Sequence, residues 1–207
     1  MCRRCDLRGG ANVGFATGPE GRLTLPAGST RYRMDVSEQG PTIRRVASVA
    51  LAVYGVYLLA HIGEGSLLDG VDLGIHETGH LVFGPFGELI GFAGGTLFQL
   101  IMPALFVGYF VRRGAQHAAS VALWWIGQNC ANISIYAADA RAQELPLVGG
   151  GEHDWAYMLG RFGWLSHDQG VGRFFHSLAI LLMLGATVWG FVAASKSCTV
   201  EQAVPQT

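Results

Sequence analysis

Two histidines four residues apart, with a glutamate beside the first, occur in the run His76-Glu77-Thr78-Gly79-His80. On a helix, positions i and i+4 share one face, so both imidazoles can grip the same metal ion. Zinc held by two imidazoles and one further protein ligand keeps a fourth position for water, and a neighbouring carboxylate can take that water's proton. The spacing therefore points to metal-assisted hydrolysis with Zn2+ as cofactor, His76 and His80 as ligands and Glu77 as catalytic base. The third ligand must come from elsewhere in the chain.

Candidates follow fifty and more residues later. Gln128, Asn132, Tyr136 and Asp139 fall at three-and-four spacing, with Asn129 beside them, and so share one helix face. Such a polar stripe is costly in lipid and must face protein, water or an ion; the ionisable Asp139 at its end is a site candidate. The glycines at 149–151 permit a tight return and lead into Glu152-His153-Asp154-Trp155. A histidine near a helix start is disfavoured as a cation, which suits His153 to the role of neutral metal ligand. Asp154 reads as the cap of a short helix from Trp155 to Arg161, whose Trp155, Met158 and Leu159, with Phe162 and Trp164 beyond, suit a membrane interface. Asp139 and His153 both stay open as third ligand, and Asn129 or Asn132 is expected to stabilise an oxyanion. Glu88 reads as the start of the next helix and Glu144 as a loop charge.

The elements that must carry these residues are apolar. The 207 residues are 50% hydrophobic and only 14% charged, with a mean hydropathy of +0.32. That composition is wrong for an ordinary soluble globule and right for a helical membrane protein. Four stretches free of Lys, Arg and Asp, namely Val46–His61, Leu89–Val111, Ala118–Ala138 and Phe174–Ser195, come near the roughly 20 residues that a helix needs to cross hydrocarbon. Arg31, Arg33, Arg44 and Arg45 precede the first stretch and hold the amino terminus in the cytoplasm by the positive-inside rule; Arg112-Arg113 and Lys196 follow later spans. The Gly84-Pro85 pair stops the helix carrying His76 and His80. Read from about Leu73 to Phe83, that helix is roughly 16 Å long, about half the hydrocarbon thickness. The expected fold class is all-α: four spanning helices plus one half-buried helix that enters from the outer face, where non-spanning backbone needs protein or a wet cavity around it.

The domain reading is a flexible polar tail over 1–42, a membrane-embedded helical domain over 43–195 with an outer loop at 140–172, and a carboxy-terminal tail over 196–207. A net charge of −1 and the absence of any basic run interleaved with aromatics exclude nucleic acid as a partner. Cys2 and Cys5 form a C-x-x-C without the second pair that a zinc site needs, while Cys130 and Cys198 lie far off in sequence. Residues 1–42 lack the apolar segment of a cleavable secretory signal.

With Gly79 before the second histidine, the run resembles the H-E-x-G-H form of membrane metallopeptidases. It is similar to the site-2 protease group, intramembrane zinc proteases with the motif on a membrane helix and an aspartate ligand from a later helix after an asparagine. Asn132 and Asp139 stand at comparable places, although the Pro and Leu-Asp-Gly of that later motif are missing. It also resembles membrane gluzincins related to the heat-shock protease of bacterial inner membranes, whose second motif is Glu-x-x-Ala-Asp. Ala138-Asp139 fits that motif, but Ile135 occupies the glutamate ligand position. Either resemblance implies peptide-bond hydrolysis, a membrane-associated polypeptide substrate among membrane lipid, and a place in the bacterial inner membrane. The expectation is a zinc-dependent, membrane-embedded metalloendopeptidase. Its alternatives are a non-catalytic membrane protein, such as a metal carrier or assembly factor, and a metal-dependent lipid or amide hydrolase.

Overall fold

The computed structural model describes residues 40–147 and 151–195, together with the backbone at 16–17 and 23–24. Most of the expected tail over 1–42, with Cys2 and Cys5, lies outside the described residues, as do Gly149, Gly150 and residues 196–207. Two short strands, β1 (Ala16–Thr17) and β2 (Leu23–Thr24), pair antiparallel with Ala16 opposite Thr24. They belong to a unit separate from residues 35–198.

The larger unit is helical among its described residues. Its elements are α1 (Pro41–Ala60), α2 (Leu67–Phe83), α3 (Glu88–Arg112), α4 (Gln116–Ala138), α5 (Asp154–Arg161) and α6 (Asp168–Ser195), with single 3-10 turns at Gly84–Phe86 and Leu165–His167. The packing order across the bundle is α1, α6, α4, α3, α2, and α5 lies against α3. Helix α4 thus stands in the middle, and most of its side chains from Gly127 to Ser134 are buried.

Three helices are long and apolar enough to cross a membrane: Pro41–Ala60, Glu88–Arg112 and the continuous Leu165–Ser195. The expected third span, Ala118–Ala138, falls within α4, which is 23 residues long but is not among those three. Its stripe of Gln128, Asn129 and Asn132 lowers its apolarity, and a helix between α6 and α3 turns those groups to protein. The outer helices carry the opposite pattern, with Val46, Val49, Val53 and Val56 on α1 and Leu181, Leu184 and Val188 on α6 all exposed. So continuous an apolar surface suits lipid as its solvent.

Helix α2 starts six residues earlier than expected. Ser66 caps it: its Oγ accepts from the Asp69 amide at 3.3 Å, and the Ser66 amide donates to Asp69 Oδ2 at 2.6 Å. This reciprocal box satisfies two of the amides that a helix start leaves without partners. The 17 residues make a helix about 25 Å long, still short of the hydrocarbon thickness of about 30 Å. Gly84-Pro85 ends it in a 3-10 turn, and Gly87 turns the chain at φ 111° into α3. Helices α2 and α3 cross at Gly79 and Gly94: a Cβ on Gly94 would stand 2.7 Å from the Gly79 carbonyl oxygen, and one on Gly79 would collide with the Gly94 carbonyl. Gly79 of the histidine run is therefore the point where two backbones touch.

Candidate metal centre

His76 is buried on α2, and His80, one turn on, is partly exposed. Both rings are held through Nδ1. The Nδ1–H of His80 donates to the Gly91 carbonyl at 2.8 Å, and that of His76 donates to Gln99 Oε1 at 3.1 Å. Gln99 belongs to a relay whose direction is set at its far end. The Asp69 carboxylate only accepts, so Asn132 turns Nδ2 to it at 3.4 Å. Asn132 Oδ1 then accepts from Gln99 Nε2 at 3.0 Å, which leaves Gln99 Oε1 for His76. The carboxylate that caps α2 thereby fixes the proton of His76 on Nδ1 and leaves the Nε2 lone pair free. Histidine ligands are oriented in this way, by a hydrogen bond at the other ring nitrogen.

The two Nε2 atoms converge on one oxygen. Asp154 Oδ2 lies 2.9 Å from His76 Nε2 and 3.3 Å from His80 Nε2. Ligand atoms of His76, His80 and Asp154 all fall within 4.8 Å of one another. Two imidazole nitrogens and a carboxylate oxygen are a donor set that zinc accepts. With both Nδ1 atoms tied to oxygens, the 2.9 Å contact between His76 Nε2 and Asp154 Oδ2 can be bridged by a proton on Nε2 or by a shared cation. Room for the His76 ring comes from Gly95, where a Cβ would run into the imidazole.

The cap reading of Asp154 falls instead to its neighbour. His153 is the N-cap of α5, its Nδ1 accepting from the Ala156 amide at 3.3 Å, while Asp154, the first helical residue, turns to the histidines. The His153 Nε2 lies 3.5 Å from Asp139 Oδ2. Its Nδ1 is engaged at the start of α5 and its Nε2 faces Asp139 without a hydrogen bond, while burial holds its imidazole below the ordinary range, with Asp139 opposing.

Asp139, the other expected ligand, latches a loop instead. Its Oδ1 accepts from the Glu144 amide at 3.0 Å and its Oδ2 from the Leu145 amide at 3.1 Å. Neither Asp139 nor His153 belongs to the convergent group.

The amides expected at an oxyanion divide. Asn129 is fully buried and donates to the Trp125 carbonyl at 2.9 Å. Asn132 lines the cavity beside the histidines as part of the relay. Tyr136 stands beside the centre: its hydroxyl accepts from the Asp154 amide at 3.3 Å and donates to Asp154 Oδ2 at 3.4 Å. Its ring packs 4.2 Å from that of His153 and edge-on to His76 at 5.9 Å.

His76, Glu77, His80 and Asp154 open on a cavity of about 840 Å³. Its apolar wall includes Leu73, Phe92, Ile135, Leu145 and Leu147, so the loop latched by Asp139 forms part of the lining. Glu77 is exposed and lines the cavity. The signal that sequence reading missed is Ser66-Leu67-Leu68-Asp69 before an apolar run, a capping-box pattern. The chain matches no family model, no curated protein and no solved structure.

Proposed function

We propose that this protein is a zinc-dependent, membrane-embedded hydrolase of the metalloendopeptidase kind, with His76, His80 and Asp154 as ligands and Glu77 as base. The observation that carries the reading is the convergence of two Nε2 atoms and Asp154 Oδ2 while both Nδ1 atoms are tied to oxygens. Asp139 and His153 move from the ligand shell to its support. A divalent ion held there would supply a water of lowered pKa and polarise a carbonyl. Glu77 would take the proton from water and pass it to the leaving amine. Tyr136 Oη donates its one proton to Asp154 Oδ2 at 3.4 Å, which makes it a support of that ligand. The cavity gives a polypeptide room beside the ligands.

In the membrane we place the amino terminus in the cytoplasm, with α4 as a fourth, protein-shielded crossing and the cavity towards the outer face. A bacterial plasma membrane suits this arrangement.

The test is metal analysis of the purified protein with a fluorogenic polypeptide as hydrolysis probe. The wild type is expected to hold one zinc per chain. His76→Ala and Asp154→Ala should lose it, and Glu77→Gln should keep it while hydrolysis falls by about a hundredfold or more. A wild type without stoichiometric transition metal overturns the reading. A Glu77→Gln protein that retains full function in the cell points to the non-catalytic alternative, a metal carrier or assembly factor.

A further inference from the structure

The charge on the cavity wall is of one sign. Besides the ligand Asp154 and the base Glu77, the wall carries Glu64, Asp69, Glu88 and Glu152, and among the described residues no Lys or Arg lines it. These acids come from four separate places: the α1–α2 connection, the start of α2, the start of α3 and the turn before α5. Glu64, Glu88 and Glu152 are exposed. One divalent ion neutralises only part of that charge.

No described arginine lines the cavity, although Arg161, at the end of α5, lies with Glu88 and Tyr157 in an adjoining pocket, and Arg173 stands near the start of α6. Arg44 and Arg45 are at the start of α1, and Arg112 and Arg113 at the end of α3. Arg141 binds Asp168 at 2.7 Å. A cleft of one sign with apolar walls focuses its field on whatever enters.

Resting on the hydrolase reading above, we propose that the cavity selects a basic polypeptide, one carrying Lys or Arg within a few residues of the bond to be cut, and rejects anionic phospholipid headgroups. The cavity, at about 840 Å³, is far larger than an ion and a water need. Leu73, Phe92 and Leu147 offer apolar contact beside the ligands, while Glu64, Glu88 and Glu152 at its edge offer carboxylates to cationic side chains. A phosphate group approaching the ion would have to pass those carboxylates, and like charges brought together in an interface cost several kcal/mol.

The experiment uses the full chain in neutral detergent as its Glu77→Gln variant, which binds without turnover. Fluorescent peptides of one apolar core with basic, neutral or acidic flanks are titrated by anisotropy, with zinc and without. The basic peptide is expected to bind at least about tenfold more tightly than the acidic one at about 50 mM salt, and the gap should narrow towards 0.5 M as screening shortens. The triple variant Glu64→Gln, Glu88→Gln, Glu152→Gln should abolish the preference, whereas Glu144→Gln, a charge removed outside the cavity lining, should not. Equal binding of all three peptides, tighter binding of the acidic one, or a preference that survives the triple variant overturns the proposal. Zinc content, measured on the same samples, reports separately on the hydrolase reading: a protein that takes up no zinc yet prefers basic peptides removes the chemistry and leaves the selectivity.

Discussion

Asp154 and His153 are adjacent, chemically able to bind zinc, and placed by one helix start on opposite errands. Because His153 Nδ1 caps α5, removing its ring costs a cap and a buried neighbour of Tyr136, and leaves the three convergent atoms in place. His153→Ala is therefore expected to keep one zinc per chain with a lower melting temperature, while Asp154→Ala loses the metal; the reverse pattern in metal analysis would restore His153 as ligand. The relay gives a finer test. Asp69→Asn can turn an amide donor towards Asn132, which frees Asn132 and Gln99 to flip and takes the acceptor away from His76 Nδ1. Zinc affinity should fall about tenfold to a hundredfold, as for other lost partners of ligand histidines. Ser66→Ala removes only the cap, at a cost of about 1 kcal/mol, and should leave zinc affinity unchanged in the same titration. Equal loss in both variants would show that Asp69 acts through the helix start alone.

Helices α2 and α3 must approach until backbone meets backbone for His76 to reach Gln99 and His80 to reach Gly91. Gly79, Gly94 and Gly95 make that approach possible. A methyl at Gly95 enters the space of the His76 ring, so Gly95→Ala is expected to weaken zinc binding sharply while the helical circular dichroism stays; overpacking of this kind costs about 1–3 kcal/mol. Full zinc occupancy in Gly95→Ala would mean that the ring has another place to go. The legibility of the chain follows the same division between local and distant causes. The histidine spacing, the stop at Gly84-Pro85 and the apolar runs of α1, α3 and α6 are local, and each could be read from neighbouring residues. The polar stripe of α4 was legible as a stripe, but whether it faces lipid, an ion or other helices depends on α6 and α3 packing around it. The third side chain at the histidines depends on which of two consecutive residues caps α5, a choice made by backbone angles at one position and invisible to spacing. Asp139 drew attention as the acid that ends the stripe; its true partners, the amides of Glu144 and Leu145, lie five and six residues on, in a loop that no periodicity describes.

The bundle has two chemically distinct ends. At one, Arg45 Nη2 donates to Ser195 Oγ at 3.3 Å and His117 Nε2 lies 2.9 Å from the Arg44 carbonyl, tying the starts of α1 and α4 to the end of α6. At the other, the α1–α2 connection, the latched loop over 140–147 and the start of α5 surround the carboxylate-lined cavity. Arg44, Arg45, Arg112 and Arg113 stand at the first end, the side that the positive-inside rule would turn to the cytoplasm, and Arg141, Arg161 and Arg173 stand at the second. If α1, α3, α4 and α6 all cross, Glu64 and Glu152 share the outer side and Arg113 lies inside. In intact cells, with the chain's own cysteines replaced, single cysteines at Glu64 and Glu152 are expected to react with a membrane-impermeant maleimide, and one at Arg113 only after permeabilisation. Labelling of the Glu152 position on the same side as Arg113 would remove α4 as a crossing, since α4 is the one helix among the described residues between the two sites. It would also separate Glu64 from Glu152 across the bilayer, which the shared cavity forbids, so that result would count against the arrangement of the site as well as its orientation.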